Sequence, residues 1–236
     1  MRTKLLILTV LLLSATFPAA AQKPLTIWDP TVELMDEVPA LPDAEAELNN
    51  KTVLPKLKAK YNSDGCTVDP ELLGEVSGVF TKKGVVQKVA LYQVCVTGNG
   101  LGIVALVMFE DDKLVGIWGE ESGWAMRLHA ISDMNTNGFD ELTLAFGGGL
   151  HQGQGGVGVE IVEFQNGKLQ VLGWFQAEQS MVGEAETAWK VTAKPGKIPV
   201  FYRQKYKANS RGKLLKTGTN TIFKLTKVEN KFEQIK

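Results

Sequence analysis

A short segment near the middle of the chain has the side chains and spacing of a cation-binding loop. Residues 133–141 read Asp-Met-Asn-Thr-Asn-Gly-Phe-Asp-Glu, with side-chain oxygens at the first, third, fifth and ninth places. Glycine at the sixth place permits the tight bend, and the seventh residue can offer its main-chain carbonyl. This pattern wraps a hard cation such as Ca²⁺. The predicted ligands are Asp133, Asn135, Asn137, Glu141 and the carbonyl of Phe139.

Two other interpretations of this segment differ in what they require. An EF-hand needs a bidentate Glu at the twelfth place, where this chain has Leu144, so the segment is not an EF-hand. A polar turn without metal needs only Asp and Asn side chains that accept hydrogen bonds from nearby main-chain N–H groups. The residue types suit this turn as well, and it stays open beside the calcium site.

The loop motif followed at once by a strand-like run, residues 133–145, resembles the FG-GAP or VCBS repeat of integrin-α-like β-propellers. Blades of that family carry D-x-[DN]-x-D-G-x-x-[DE] loops that bind calcium. This chain has Asn137 in place of the fifth-position Asp, so the formal charges are those of Asp133 and Glu141. The resemblance therefore implies a weak calcium site, with a dissociation constant on the order of 10⁻⁴ to 10⁻³ M.

Other groups in the same acidic region could do different chemistry. Glu120 with Glu121, and Glu160 with Glu163, are candidate acid and base pairs for glycoside hydrolysis, although carboxylates on strand ends more often form a solvated face. The glycine-rich residues 147–156 lack the Lys-Ser/Thr of a phosphate-binding loop, so a flexible connection between strands is expected there.

Charge is unevenly distributed along the chain, although the whole has 26 basic and 26 acidic residues. Residues 110–189 carry 13 acidic and 3 basic side chains, and residues 190–236 carry 13 basic and 2 acidic. The neutral total excludes a protein that binds polyanions over its whole surface. A local anion-binding strip is compatible with it, and the candidate residues are Tyr202, Arg203, Lys205, Lys207, Arg211 and Lys213. Attraction between the acidic and basic regions, within one chain or between copies, explains the same distribution.

Repetition along the chain predicts the elements that position these groups. Residues 109–114 and 164–169 share a hairpin pattern, and a third match, one residue shorter, covers 228–232. Turn glycines stand upstream of each, at Gly84, Gly138 and Gly196. Period-2 alternation predicts strands at 126–133, 141–146, 157–164 and 169–175, and the apolar run 102–109 predicts a strand covered on both faces.

These patterns predict an all-β domain over residues 75–236, built from three four-stranded meanders at about 75–122, 123–185 and 186–236. Such units are typical of β-propeller blades, here open or partial, because closed propellers need about 4 to 8 blades. A β-sandwich or barrel is the alternative. Residues 22–74 are expected to be extended and then helical over 43–61, with an interruption at Pro55.

The N-terminus predicts the compartment. Residues 1–21 begin with basic groups, continue as a short apolar run and end in small residues, as a cleaved secretory signal peptide does. No later segment is long and apolar enough to span a membrane. We therefore expect a secreted or periplasmic protein, in which Cys66 and Cys95 form a disulfide worth roughly 3.5 kcal/mol.

The function expected from these features is that of an exported, non-enzymatic binding or scaffolding module. It would hold one weak calcium ion and present loops to a protein or glycan at the cell envelope, whereas nucleic acid is disfavoured as a partner. A secreted hydrolase that uses the carboxylates of the acidic region is one alternative. A self-assembling envelope protein, in which open sheet edges pair with neighbouring copies, is the other.

Overall fold

The computed structural model describes residues 23–32, 41–62, 68–96, 101–151 and 153–235. The predicted signal peptide, residues 1–21, and Cys66 lie outside them. Within the described ranges, no helix has the length and apolar character that crossing a membrane requires.

The helices are α1 (Asp43–Leu48) and α2 (Leu54–Tyr61), joined by a π-helical segment, Asn49–Val53. The strands are β1 (Leu25–Trp28), β2 (Glu71–Gly78), β3 (Gln87–Val96), β4 (Leu101–Glu110), β5 (Lys113–Ile131), β6 (Glu141–His151), β7 (Gln154–Gln165), β8 (Lys168–Met181), β9 (Thr187–Lys194), β10 (Val200–Ala208), β11 (Leu214–Phe223) and β12 (Glu233–Ile235).

The described strands form one open antiparallel sheet, which confirms the all-β class. The order is β11-β10-β9-β8-β7-β6-β5-β4-β3-β2, with β1 beside β9 and β12 beside β5. The prediction of propeller-like blades is wrong in its arrangement, because blades are separate sheets and this ladder is continuous. The long strand β5 makes the ladder continuous, because its residues 113–123 pair with β4 and its residues 124–131 pair with β6.

The two halves of this sheet share a hydrophobic core. Trp118 of β5 packs edge-on against Phe164 of β7, with ring centroids 4.8 Å apart, and buried residues of β3, β4 and β6 complete the cluster. The helical segment covers the other face of β3 and β4 through the fully buried Val53 and Leu57. Residues 102–109 of β4 are therefore buried throughout, which confirms the expectation of a strand covered on both faces.

The two longer hairpin predictions are confirmed, and the third is wrong. Asp111 and Asp112 both have positive φ, as do Asn166 and Gly167, which suits tight turns between twisted strands. After β11, however, the chain forms a bridge between Thr226 and Trp174 and then returns to β5 as β12. The glycine-rich segment 147–156 is also not a flexible connection, because most of it belongs to the paired strands β6 and β7.

The helix predicted over 43–61 is present, but it is not interrupted at Pro55: the irregular part is the π-helical segment that precedes this residue. Pro55 lies in the first turn of α2 and has no N–H to donate to the turn before it, and the π-helical segment ends two residues earlier. Glu45 of α1 is fully buried and forms an ion pair with Lys88 of β3. The Tyr92 hydroxyl donates a hydrogen bond to Asn49 Oδ1 at 3.0 Å. These two contacts fix the helical segment on the sheet.

Gln93 stabilises the place where β5 changes partners. Its side-chain Nε2 donates to the carbonyls of Cys95 and Ile103 at 2.8 and 3.0 Å, and its Oε1 accepts from the Ala125 N–H at 2.7 Å. One buried amide thus satisfies main-chain groups of three adjacent strands, β3, β4 and β5.

Candidate functional site

The predicted cation loop forms the connection between β5 and β6. Asp133 accepts two main-chain hydrogen bonds, from Asn137 N–H at 2.8 Å and from Gly138 N–H at 2.9 Å. Gly138 has a φ of 94°, a conformation that disfavours other residues, so the glycine is required for this bend. The side chains of Asn135 and Asn137 accept from Asn137 N–H and Phe139 N–H, respectively.

Glu141 is the first residue of β6, and its side chain contacts the start of the loop. Its carboxylate is fully buried and accepts hydrogen bonds from Met134 N–H at 2.8 Å and Asn135 N–H at 3.3 Å. Burial raises the pKa of Glu141 to about 7, and the nearby carboxylates of Glu163 and Asp133 add to this rise. The main-chain donors oppose it, because they favour the charged form.

Glu163 of β7 belongs to the loop site, although the sequence pattern of the loop gives no indication of it. Its carboxylate is fully buried and accepts from Asn135 Nδ2 at 3.1 Å and from Asn137 Nδ2. The available signal was strand alternation: Val159, Ile161 and Glu163 share one face, and the two apolar members are in the core. A glutamate that continues such a series is buried and needs polar partners.

Asp140 was not among the predicted ligands, and it acts as a structural link. Its carboxylate accepts from Asp133 N–H at 3.1 Å and from Val79 N–H at 2.8 Å. It therefore ties the loop to the segment after β2.

The arrangement combines the two interpretations of the segment. The loop side chains accept main-chain hydrogen bonds, as the polar turn requires, but a carboxylate oxygen has two lone pairs and can also bind a cation. The carboxylate and amide oxygens suit Ca²⁺, while Lys83, which lies 5.7 Å from the Phe139 ring centroid, brings a competing positive charge. Among the described residues, no three His, Cys, Asp or Glu side chains form a group that could hold a metal ion.

The predicted anion-binding strip is divided by the geometry of β10. Arg203, Lys205 and Lys207 alternate along one face of the strand, whereas Tyr202 belongs to the opposite face. Arg211 and Lys213 lie in the turn between β10 and β11, beyond the paired residues. The strip is therefore three cations on one sheet face together with a separate basic turn.

The two predicted glutamate pairs are not paired as expected. Glu163 joins the loop site, and Glu121 is exposed, whereas the charge of Glu160 acts on Glu120. Glu120 is 6% exposed and lines a cavity of about 370 Å³ with Tyr61, Lys60 and Lys231. Burial, with a smaller contribution from Glu160, raises the pKa of Glu120 to about 8, and burial also raises the pKa of Tyr61 to about 12.

Cys95 of β3 is 5% exposed, and its thiol is not free. Its expected partner, Cys66, falls in residues 63–67 outside the described ranges, so the pairing stays a prediction.

Comparison with known proteins gives no independent assignment of the site. No protein-family model, no curated protein and no solved structure matches the chain. The resemblance to an FG-GAP or VCBS repeat therefore stays a prediction that depends on residues 133–145.

Proposed function

We propose that the chain is an exported, non-enzymatic binding module in which the loop 133–141 binds Ca²⁺. Asp133, Asn135, Asn137, Glu141 and the carbonyl of Phe139 would be its ligands, with Glu163 as a further carboxylate. Since the described carboxylates do not form a metal-holding group as they stand, binding would draw Asp133, Glu141 and Glu163 closer together. The observation that carries the proposal is the position of Glu163, which reaches from β7 to the loop between β5 and β6. A cation held there would join neighbouring strands and stiffen the surface that meets a protein or glycan of the cell envelope.

The charge balance of the loop supports a bound cation. Glu141 and Glu163 are both fully buried, and the carboxylates of Glu163 and Asp133 raise the pKa of Glu141. Like charges in a buried site disfavour each other and favour either a proton or a cation between them. At neutral pH, Ca²⁺ would take the place of the proton on this buried pair of carboxylates. It would act as a structural ion bound by oxygen ligands.

Calcium is expected to stabilise the mature chain against thermal unfolding. At 10 mM Ca²⁺, about 10 to 100 times the expected dissociation constant, the gain is roughly 1.4 to 2.7 kcal/mol. For a chain of this size that corresponds to about 3 to 10 °C in Tm relative to a sample with chelator. Glu163→Gln should keep a side chain of the same size with an oxygen that accepts hydrogen bonds, but it removes the charge of one ligand. The rise in Tm that calcium produces should therefore be less than half of the wild-type rise.

The matched control is Glu178→Gln, which neutralises a carboxylate of β8, outside the loop. Whatever its Tm in chelator, calcium should raise the Tm of this variant by as much as it raises that of the wild type. An equal Tm of the wild type in calcium and in chelator would rule out the calcium site.

A second candidate function, hydrolysis of a glycosidic bond, is favoured by one observation. Glu120 lines a cavity, and its raised pKa would keep the carboxyl protonated at neutral pH, as a general acid requires. If the cavity is catalytic, the mature chain releases nitrophenol from at least one class of nitrophenyl glycoside. Glu120→Gln should then lower kcat by a factor of at least 100, while Glu178→Gln, at a carboxylate that does not line this cavity, should change it less than threefold. Absence of any release by the wild type would exclude this candidate.

A further inference from the structure

A shallow cleft of about 320 Å³ lies on one face of the sheet formed by β9, β10 and β11. Its lining combines an indole, two cations and several hydroxyl groups. The residues are Trp189, Arg203, Lys205, Thr217, Gly218, Thr219 and Thr221.

The strand register brings these side chains to the same face. Lys205 lies opposite Trp189 of β9 and opposite Thr217 of β11. Arg203 lies opposite Thr221. Between these two paired positions β10 has one residue, Gln204, whereas β11 has three, residues 218–220. This bulge forms one side of the cleft.

Gln204 holds the bulge in place. It is 7% exposed, and its Nε2 donates to the carbonyls of Thr217 at 2.8 Å and Gly218 at 3.3 Å. Gly218 has a φ of 70°, which favours glycine at this position. The cleft is thus a fixed feature of the hairpin.

The cationic group of Arg203 is also positioned before any ligand arrives. The Arg203 guanidinium lies over the Phe223 ring, 5.5 Å from its centroid, which limits its rotamers. A guanidinium binds a carboxylate or sulfate through two parallel hydrogen bonds, and a lysine adds a mobile point charge. No carboxylate is among the residues that line the described cleft.

We propose that this cleft binds an anionic glycan, in which the indole of Trp189 contacts a sugar ring while Arg203 and Lys205 bind its carboxylate or sulfate groups. The hydroxyls of Thr217 and Thr221 donate to the carbonyls of Lys205 and Arg203 at 3.3 and 3.4 Å, so their oxygens can accept hydrogen bonds from sugar hydroxyls. A nucleic acid would fit less well, because its affinity comes from many phosphate contacts along a basic track, and this cleft offers two cations. The inference deepens the proposed binding function and does not depend on the calcium loop.

The test measures binding of four probes to the mature chain by titration calorimetry at about 50 mM salt in the presence of a chelator. Polygalacturonate and dextran sulfate are the anionic glycans, neutral dextran is the uncharged control, and a single-stranded oligothymidylate is the nucleic acid. We expect binding of at least one anionic glycan, and at least tenfold weaker binding of dextran and the oligonucleotide.

Arg203→Gln and Lys205→Gln should each weaken glycan binding at least fivefold. The matched control is Lys216→Gln, which removes the same charge from β11 but belongs to the opposite face, where it pairs with Tyr206. It should weaken binding less than twofold. Equal losses in all three variants, tighter binding of the oligonucleotide or no binding of either glycan would each overturn the proposal. Because chelator is present throughout, these outcomes are separate from the calcium response.

Discussion

Replacing Lys88 with methionine is expected to lower the free energy of unfolding by about 3 to 5 kcal/mol. The Lys88 side chain is 28% exposed and forms ion pairs with two carboxylates, those of Glu45, which is fully buried, and Glu75, which is 15% exposed. Methionine fills a similar volume but leaves both carboxylates without their cation. An uncompensated buried charge costs far more than an ion pair gains at the surface. Chemical denaturation with urea measures the loss.

The control makes the same substitution at an exposed ion pair of the helical segment. Lys51 pairs with Glu47 one turn away, and both side chains are more than half exposed. Lys51→Met should therefore cost less than about 1 kcal/mol. The double variant Lys88→Met with Glu45→Gln should recover part of the loss, because it removes one of the two buried charges. Similar losses for Lys88→Met and Lys51→Met would contradict the assigned role of the buried ion pair.

Replacing Glu120 with glutamine is expected to raise stability at alkaline pH. Burial raises the pKa of this carboxyl from its ordinary 4.5 to about 8, so the folded chain holds a proton that the unfolded chain releases. Wild-type stability should therefore fall as pH rises from about 5 to 8, and the penalty is fully present above pH 8. Its size is roughly 3 to 5 kcal/mol. Glutamine cannot ionise, so the variant lacks this part of the pH dependence.

The measurement is the free energy of unfolding at pH 5, 6.5 and 8.5 for the wild type and two variants. Glu120→Gln should be close to the wild type at pH 5 and more stable at pH 8.5. Glu121→Gln changes the exposed neighbour in the chain and should follow the wild type at every pH. A constant difference between Glu120→Gln and the wild type across the range would show that this carboxyl does not keep its proton in the folded chain.

Local features of the fold could be predicted from the sequence because they depend on nearby residues. The apolar run of β4 indicated burial on both faces, and the composition of 43–61 indicated a helix, although its irregular part lies just before Pro55. The turns at 111–112 and 166–167 were likewise indicated by their residue types. In each case propensity, periodicity or a missing N–H determines the structure over a few residues.

Pairing between distant segments could not be predicted in the same way. The match at 228–232 has the residues of a hairpin, but its chain pairs instead with β5, more than 100 residues earlier. The glycine-rich segment has weak strand propensity, yet its neighbours on both sides hold it in the sheet. Such long-range pairing overrides local propensity.

In the candidate site, too, the local residues could be predicted and the long-range contacts could not. The loop residues and their spacing were visible in the sequence, and the structure places Asp133, Asn135, Asn137 and Glu141 in one connected set of hydrogen bonds. The approach of Glu163 was not visible, because it depends on the register of β7 beside β6. The cleft was missed for the same reason: Trp189 and Lys205 are far apart in sequence and meet through cross-strand pairing.

The shared strand β5 affects how the chain can come apart. Its first part pairs with β4 and its second part with β6, without a break between them. If either half of the sheet opens, part of β5 loses its partner strand while the rest of β5 stays paired in the other half. A cut near residue 122 would keep the strand pairs of each half, but it would separate Trp118 from Phe164 in the core that the two halves share. We therefore expect the chain to unfold as one cooperative unit, and the repeats visible in its sequence are not expected to mark pieces that fold alone.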